Sequence, residues 1–394
     1  MNGPLKNAER YFLNLSLIAS LVLASFLFVD VGGTKDLNII SGWVNKLLMN
    51  GWLQGYPLLG SDYPPLFFAT IYPFTHLDIS QAQLKHLVNF SSVFFLVLAS
   101  VSYFFYTRSR VLAILFFMAL YLNVALFKYI DINSAVFFLL ALLCLVNQRY
   151  FIFGLLFTLS CLVKWQPLIF SPFFLLYLWK INGRHWHLRN SPLLQAGLGC
   201  GLLLIPSLLL FGTAMLAALN SVLNEPYISG NALNMHWLTT YWLHLQQPEL
   251  FGELQNGNND WIRHDGILLS LLKLPFLISF LLALWLFARR QRSLDDLLAF
   301  SLVGYLLYFT LNTGVHENHL VFAVVLGFVM LARQVLTGAS LLLLVLMLNI
   351  NMALFYAAQG ALRNLGGFDL SMLLAGFFSA YLLLFCFRQL WQAR

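Results

Sequence analysis

Five short polar segments interrupt an otherwise apolar chain, and each offers side chains able to do chemistry. The first holds Asp36, in Thr34-Lys35-Asp36-Leu37. A carboxylate there can take a proton at a membrane surface, or it can simply cap a helix. Asp30, directly after Val29, is its nearest competitor. The second is Ser61-Asp62-Tyr63-Pro64-Pro65-Leu66. Two prolines fix two backbone angles and remove two donors, so this stretch is either a rigid mount for Asp62 and Tyr63 or a stiff break before a helix. The third is Lys128-Tyr129-Ile130-Asp131-Ile132-Asn133, in a very short connection. Asp131 must sit at the membrane edge or in a polar cleft, where a carboxylate calls for a partner. Lys128 is one candidate partner, and a structural pair and a catalytic role are both open.

The fourth segment is Lys164-Trp165-Gln166-Pro167. Its lysine suits an anionic ligand, or it snorkels to the interface. The fifth, Asn312 to His319, brings His316, Glu317 and His319 into one turn. A metal is one reading, but His316 and His319 are only three apart, further ligands would be needed, and no HEXXH spacing is present. A polar site that holds a phosphate or orients a carboxylate is the better reading, and no metal site is expected. Arg263, His264 and Asp265 add charges of both signs nearby. His236 reads as an interfacial loop histidine or a lining residue of a second substrate's site. No GxGxxG, P-loop or nucleophile elbow appears. The four cysteines (Cys144, Cys161, Cys200 and Cys386) lie in apolar runs without a CxxC, so neither a disulfide framework nor zinc is suggested.

The elements that position these residues follow from composition. Of 394 residues, 60% are hydrophobic and 9% are charged; mean hydropathy is +0.79. Too few charges are present to cover a water-exposed surface, which excludes a soluble enzyme and a disordered chain. The chain reads as an all-α polytopic membrane protein, a single transmembrane domain over 1–394. The net charge of +7 is dispersed among apolar runs, so no nucleic-acid partner is expected. About twelve spans are expected, near 11–29, 86–106, 110–128, 132–147, 150–163, 167–179, 194–213, 266–288, 296–312, 319–333, 337–357 and 370–388. The first is too long for a signal-peptide core and lacks a cleavage site, so it is read as retained.

With a cytoplasmic N-terminus, every inside connection carries at least one Lys or Arg, the positive-inside bias. Most acids then fall on the outer side, together with all five polar segments. Two long outer loops are expected, at about 30–85 and 214–264. Both are rich in Trp and Tyr, which favour the membrane–water interface, so interfacial helices are expected in them. Asp36 to Met49 carries a stripe of Leu37, Ile40, Val44, Leu47 and Leu48 at helical spacing.

Taken in order, these segments resemble the GT-C superfamily of membrane glycosyltransferases, which use polyprenyl-phosphate sugars. The similarity rests on Asp36 with Trp43 downstream, on Tyr63-Pro64-Pro65-Leu66, on Tyr129-Ile130-Asp131, on Lys164-Trp165-Gln166-Pro167, and on Val315-His316-Glu317-Asn318-His319. The mannosyl-, arabinosyl- and glucosyltransferase-like members are nearest in pattern. The resemblance implies an inverting glycosyltransferase with Asp36 as catalytic base, although Asp30 or Asp62 could hold that role. It implies that Asp62, Tyr63, Asp131, Lys164, Arg263, His316, Glu317 and His319 bind substrates. The implied partners are a polyprenyl-phosphate sugar donor, a glycan or glycolipid acceptor, and membrane lipid. No cofactor is implied, because the phosphate already activates the sugar. The expected location is a bacterial inner membrane with the site on its periplasmic face. The main alternative is a transporter or flippase for a lipid-linked or anionic substrate, and it would be expected to show paired halves with broken helices. An outer-face glycan polymerase or ligase would carry arginine-rich outer loops, and a purely structural membrane subunit is a further alternative.

Overall fold

Lipid offers the backbone no hydrogen-bond partners, so a chain this apolar must satisfy itself within helices. A computed structural model describes residues 4–25, 33–34, 36–74, 81–182, 191–254, 261–263, 266–290, 293–357 and 362–391, and they are predominantly helical. The helices are α1 (Pro4–Ser25), α2 (Asp36–Asn50), α3 (Trp52–Gly55), α4 (Pro65–Ala69), α5 (Gln81–Thr107) and α6 (Arg110–Tyr121). They continue with α7 (Asp131–Val146), α8 (Tyr150–Val163), α9 (Ser171–Asn182), α10 (Pro192–Leu223), α11 (Met235–Gln246) and α12 (Pro248–Phe251). The last are α13 (Ile267–Arg289), α14 (Leu294–Leu311), α15 (Val321–Ala332), α16 (Gly338–Tyr356) and α17 (Leu370–Trp391).

Each of the twelve expected apolar runs overlaps a helix. Among the described residues, six helices are long and apolar enough to cross a membrane: the His86–Thr107 part of α5, α10, α13, α14, α16 and α17. Shorter apolar helices account for most of the remainder. The described residues are thus almost entirely helical, apart from a two-stranded pair at Asn364–Leu365 and Phe368–Asp369, and are compatible with an all-α membrane protein.

α15 lies at the centre, with Val321 through Met330 all buried. It packs on α7, α14 and α16. Phe138, Phe170 and Tyr305 stack through this centre, with ring centroids 4.6 and 4.7 Å apart. α8 and α10 approach closely because both carry glycine at the contact. A Cβ on Gly154 would lie 2.1 Å from the Ala196 carbonyl oxygen, and one on Gly199 would lie 2.1 Å from that of Phe151. Small residues at such a contact replace the missing hydrophobic drive between helices in lipid. α13 sits at the periphery: only 11% of its most apolar stretch is buried inside the protein.

The first long loop forms short helices, as its aromatic content suggests. α2 buries Leu37, Ile40, Val44 and Leu47, four members of the expected stripe; Leu48 is 40% exposed. The second long loop is shorter than expected. α10 runs through Pro206 to Leu223 rather than ending near 213. Residues 214–223 contain no helix breaker, and Pro226 disfavours helix at Glu225, so the stop comes at Asn224. α11 is then anchored to α17 by a buried staple. Trp237 Nε1 donates to Ser371 Oγ at 2.9 Å, and the buried Arg363 lies over the Trp237 ring while pairing with Asp369 at 2.8 Å.

Candidate functional site

Asp36 opens α2, and its position is fixed from both directions. Downstream, the buried face of α2 docks on α5. Upstream, Leu37 N donates to Thr34 O, and Thr34 N donates to Phe127 O, both at 3.3 Å. Gly33 makes this possible. Its φ is +69°, and an added Cβ would meet the Lys128 side chain at 2.9 Å.

Asp62 and Tyr63 are held as a rigid mount. Trp165 Nε1 donates to Asp62 O, and Tyr56 Oη donates to Tyr63 O, both at 2.9 Å. Pro64 and Pro65 are buried, and Pro65 starts α4 where its missing N–H is harmless. The Tyr63 ring lies 5.6 Å from Lys164 Nζ.

Asp131 opens α7 and is fully buried. Its partner is Lys164, at the end of α8, rather than Lys128. Lys128 sits with φ +58° after a π-helical turn at Leu122–Leu126. That turn carries its side chain to Gly33 instead. Asn318 Nδ2 donates to the other Asp131 oxygen at 2.7 Å. Both carboxylate oxygens are thus engaged.

The Asn312–His319 turn contributes three groups. Glu317 is 1% exposed and accepts a hydrogen bond from the Tyr129 hydroxyl. His319 Nδ1 lies 3.0 Å from Tyr308 Oη and accepts from His316 N at 3.4 Å, while Nε2 lies 2.9 Å from the Gln166 amide. A ring nitrogen that accepts from a backbone N–H carries no proton, so this histidine is neutral. His316 Nε2 pairs with Glu225 Oε1 at 2.9 Å.

These segments meet around one cavity of about 640 Å³, a size that suits a small-molecule ligand. Asp36, Asp62, Tyr63, Lys164, His316, Glu317 and His319 all line it. Each of the five segments contributes at least one residue to this cavity. Asp131 supports the cavity from behind, through Lys164 and Asn318. Arg263 is not among the lining residues; it is exposed and forms a backbone bridge with Tyr227. His236 is buried against Leu311 O at 2.8 Å and does not line the cavity. Asp30, His264 and Asp265 lie outside the described residues. Tyr129, part of the third segment, also lines the cavity, and Glu225, Tyr308 and Lys273 join the site without any motif to announce them. Among the described residues, no group of three or more His, Cys, Asp or Glu side chains is placed to hold a metal ion.

Hydrocarbon also lines this cavity: Leu219, Val222 and Leu223 from α10, with Phe276 and Leu277 from α13. The arrangement suits an amphiphile with a polar head and an apolar tail. Asp36 opens onto the cavity, yet protein surrounds it on most sides. Burial raises its carboxyl pKa above the ordinary value, against the pull of His316 and Lys164. Burial likewise raises Asp62. Burial alone would lower His316, but the charge and hydrogen bond of Glu225 outweigh it and bring its pKa to about 9. His316 is therefore a cation at neutral pH.

Two consequences are measurable. The folded His316 pKa lies above its ordinary 6.5. Its contribution to stability is therefore complete below about 6.5 and is lost as pH rises through about 9. The melting temperature in detergent should fall between pH 7 and 10. His316→Gln should start lower and lose less over that range. The ring also depends on Gly230, whose added Cβ would fall 2.5 Å from His316 Nδ1. Gly230→Ala should destabilise by about 1–3 kcal/mol, measured by thermal unfolding. It should also move the pH midpoint down toward 6.5 as the pair with Glu225 opens.

The sequence matches no protein-family model and no curated protein.

Proposed function

We propose that the chain is an inverting glycosyltransferase of the GT-C type. It moves a sugar from a polyprenyl-phosphate donor to a hydroxyl of a glycan or lipid-linked acceptor, on the outer face of a bacterial inner membrane. The observation that carries this reading is the composition of the cavity: a proton-accepting carboxylate, Asp36, and a cation, His316, in a pocket that is also lined by hydrocarbon from α10 and α13.

The chemistry follows from that placement. Asp36, ionised, removes the proton of the acceptor hydroxyl. The freed oxygen attacks the anomeric carbon from the side opposite the lipid phosphate. The carbon–oxygen bond to the phosphate breaks, its electron pair leaves with the phosphate, and the configuration inverts. The proton on Asp36 returns to water. A single carboxylate is enough for one displacement, whereas retention would need a second as nucleophile. The departing phosphate gains negative charge, which preorganised cationic donors stabilise. Fixed geometry supplies much of the remainder, and the Asp62–Pro65 mount and the Asp131–Lys164 pair provide it.

The test uses purified protein in nanodiscs with a panel of radiolabelled polyprenyl-phosphate sugars and a membrane-extract acceptor pool. Label transferred to an acceptor is the expected result. No transfer and no donor binding across the panel would remove the glycosyltransferase reading and favour the transporter.

A further inference from the structure

The cations nearest the cavity differ in what already neutralises them. Lys164 is buried and paired with Asp131. His316 is paired with Glu225 at 2.9 Å. His319 is neutral by its hydrogen bonds, and Arg263 lies outside the cavity lining. Lys273 is the exception. It lines the cavity from α13, and its Nζ donates to the Leu223 carbonyl oxygen at 2.9 Å. A neutral carbonyl does not cancel a charge. Among the described residues, no carboxylate forms an ion pair with Lys273; the Glu225 charge reaches it only from farther away, and that carboxylate is already paired with His316.

Its location is as unusual as its pairing. Lys273 is the seventh residue of α13, roughly 9 Å along the helix axis from the first. Of the six helices long enough to cross a membrane among the described residues, α13 has the least of its apolar stretch buried in the protein. A lysine on a lipid-facing helix is costly and marks function by default. Two residues on, Pro275 cannot bond back to the Leu271 carbonyl, so the helix is loosened beside it. The bond to Leu223 spans from α13 to the end of α10. These two helices pack on other neighbours, α10 on α8 and α13 on α14. Lys273 thus stands at a seam between two lipid-exposed helices, with the cavity behind it.

We propose that Lys273 captures the phosphate of an anionic isoprenoid lipid at this seam, exchanging the Leu223 carbonyl for a phosphate oxygen. The exposed apolar faces of α10 and α13 then hold the tail, and the head projects toward Asp36. This assignment rests on the glycosyltransferase reading only for the identity of the lipid. The binding step itself is independent of sugar transfer.

The experiment measures binding of a polyprenyl monophosphate to the full chain in phosphatidylcholine nanodiscs, by retention of tritiated lipid. Lys273→Met should weaken binding about ten- to a hundred-fold, the loss of one charge-assisted bond. Lys273→Arg should stay within a few-fold of wild type. Binding of the uncharged polyprenol should be the same in all three proteins. The methionine variant removes a charge from a lipid-facing helix, so folding is not at risk. Unchanged binding in Lys273→Met would overturn the proposal and leave a lysine that merely snorkels. Competition by inorganic phosphate at concentrations matching the lipid would also overturn it, because the site would then read a free anion. Lysine-dependent lipid binding in a protein that transfers no sugar would support Lys273 as the phosphate contact while removing the proposed activity.

Discussion

Replacing Asp36 by Asn is expected to lower sugar transfer by about 10²–10⁴-fold, the usual contribution of a positioned general base. The amide matches the carboxylate in size and cannot accept the proton. Donor binding should stay within a few-fold of wild type, because the proposed phosphate contact is Lys273 and the proposed tail contacts are on α10 and α13. The pH profile gives a second reading of the same group. Asp36 acts ionised, and burial raises its pKa above 3.8, so the acid limb of kcat/KM, which reports the free protein, should lie above that value with unit slope. The alkaline limb should fall near 9, as His316 loses its proton. His316→Gln should remove the alkaline limb and leave the acid one. Transfer that survives in Asp36→Asn and disappears in Asp62→Asn would move the base to the neighbouring carboxylate on the same cavity wall. Asp131 is a weaker competitor, since Lys164 and Asn318 already occupy both of its oxygens.

The parts of this site that a reader could find in the sequence share one property: they are punctuation in apolar text. Asp36, Asp62, Lys164 and His316 interrupt long hydrophobic runs, and lipid tolerates such interruptions only at a surface or a cavity. The α2 stripe is equally plain, because the 3.6-residue period is local. What could not be read was pairing across the chain. Lys128 is three residues from Asp131, and Lys164 is 33 residues away. The π turn and the left-handed Lys128 send the nearer lysine to the other side. Glu225 was hidden for a different reason. It lay in what looked like a long loop, and only the unbroken extension of α10 to Leu223 brings it over His316. Lys273 was hidden inside an apparent span. One lysine hardly lowers the hydropathy of a 23-residue helix, so the run near 266–288 reads simply as a span. The period of a helix is written in a few adjacent residues, whereas the partner of a charge is set by how helices cross.

The second large effect concerns stability. Asp131 and Lys164 form a pair whose side chains are 0% and 8% exposed. Removing one member of such a pair strands a charge away from water, and each single change should cost about 3–5 kcal/mol. Lys164→Met strands the carboxylate, and Asp131→Asn strands the ammonium. The double variant carries neither charge. Its asparagine still offers an oxygen to Asn318 Nδ2, which now bonds Asp131 at 2.7 Å. The double variant should therefore be more stable than either single one. A coupling energy well above the ~0.5 kcal/mol of independent sites is expected from denaturant unfolding in detergent. Additive losses would mean that the two charges do not act as a unit. The cycle also separates structure from catalysis. The Lys164 charge is spent on Asp131, so donor binding in the folded double variant should stay within a few-fold of wild type. A large loss there would show that Lys164 reaches past its partner to the phosphate. Retained binding would leave the pair a different role: it joins the starts of α7 and of the turn before α15 to the end of α8, and so holds in register the floor on which Asp36 and His316 act.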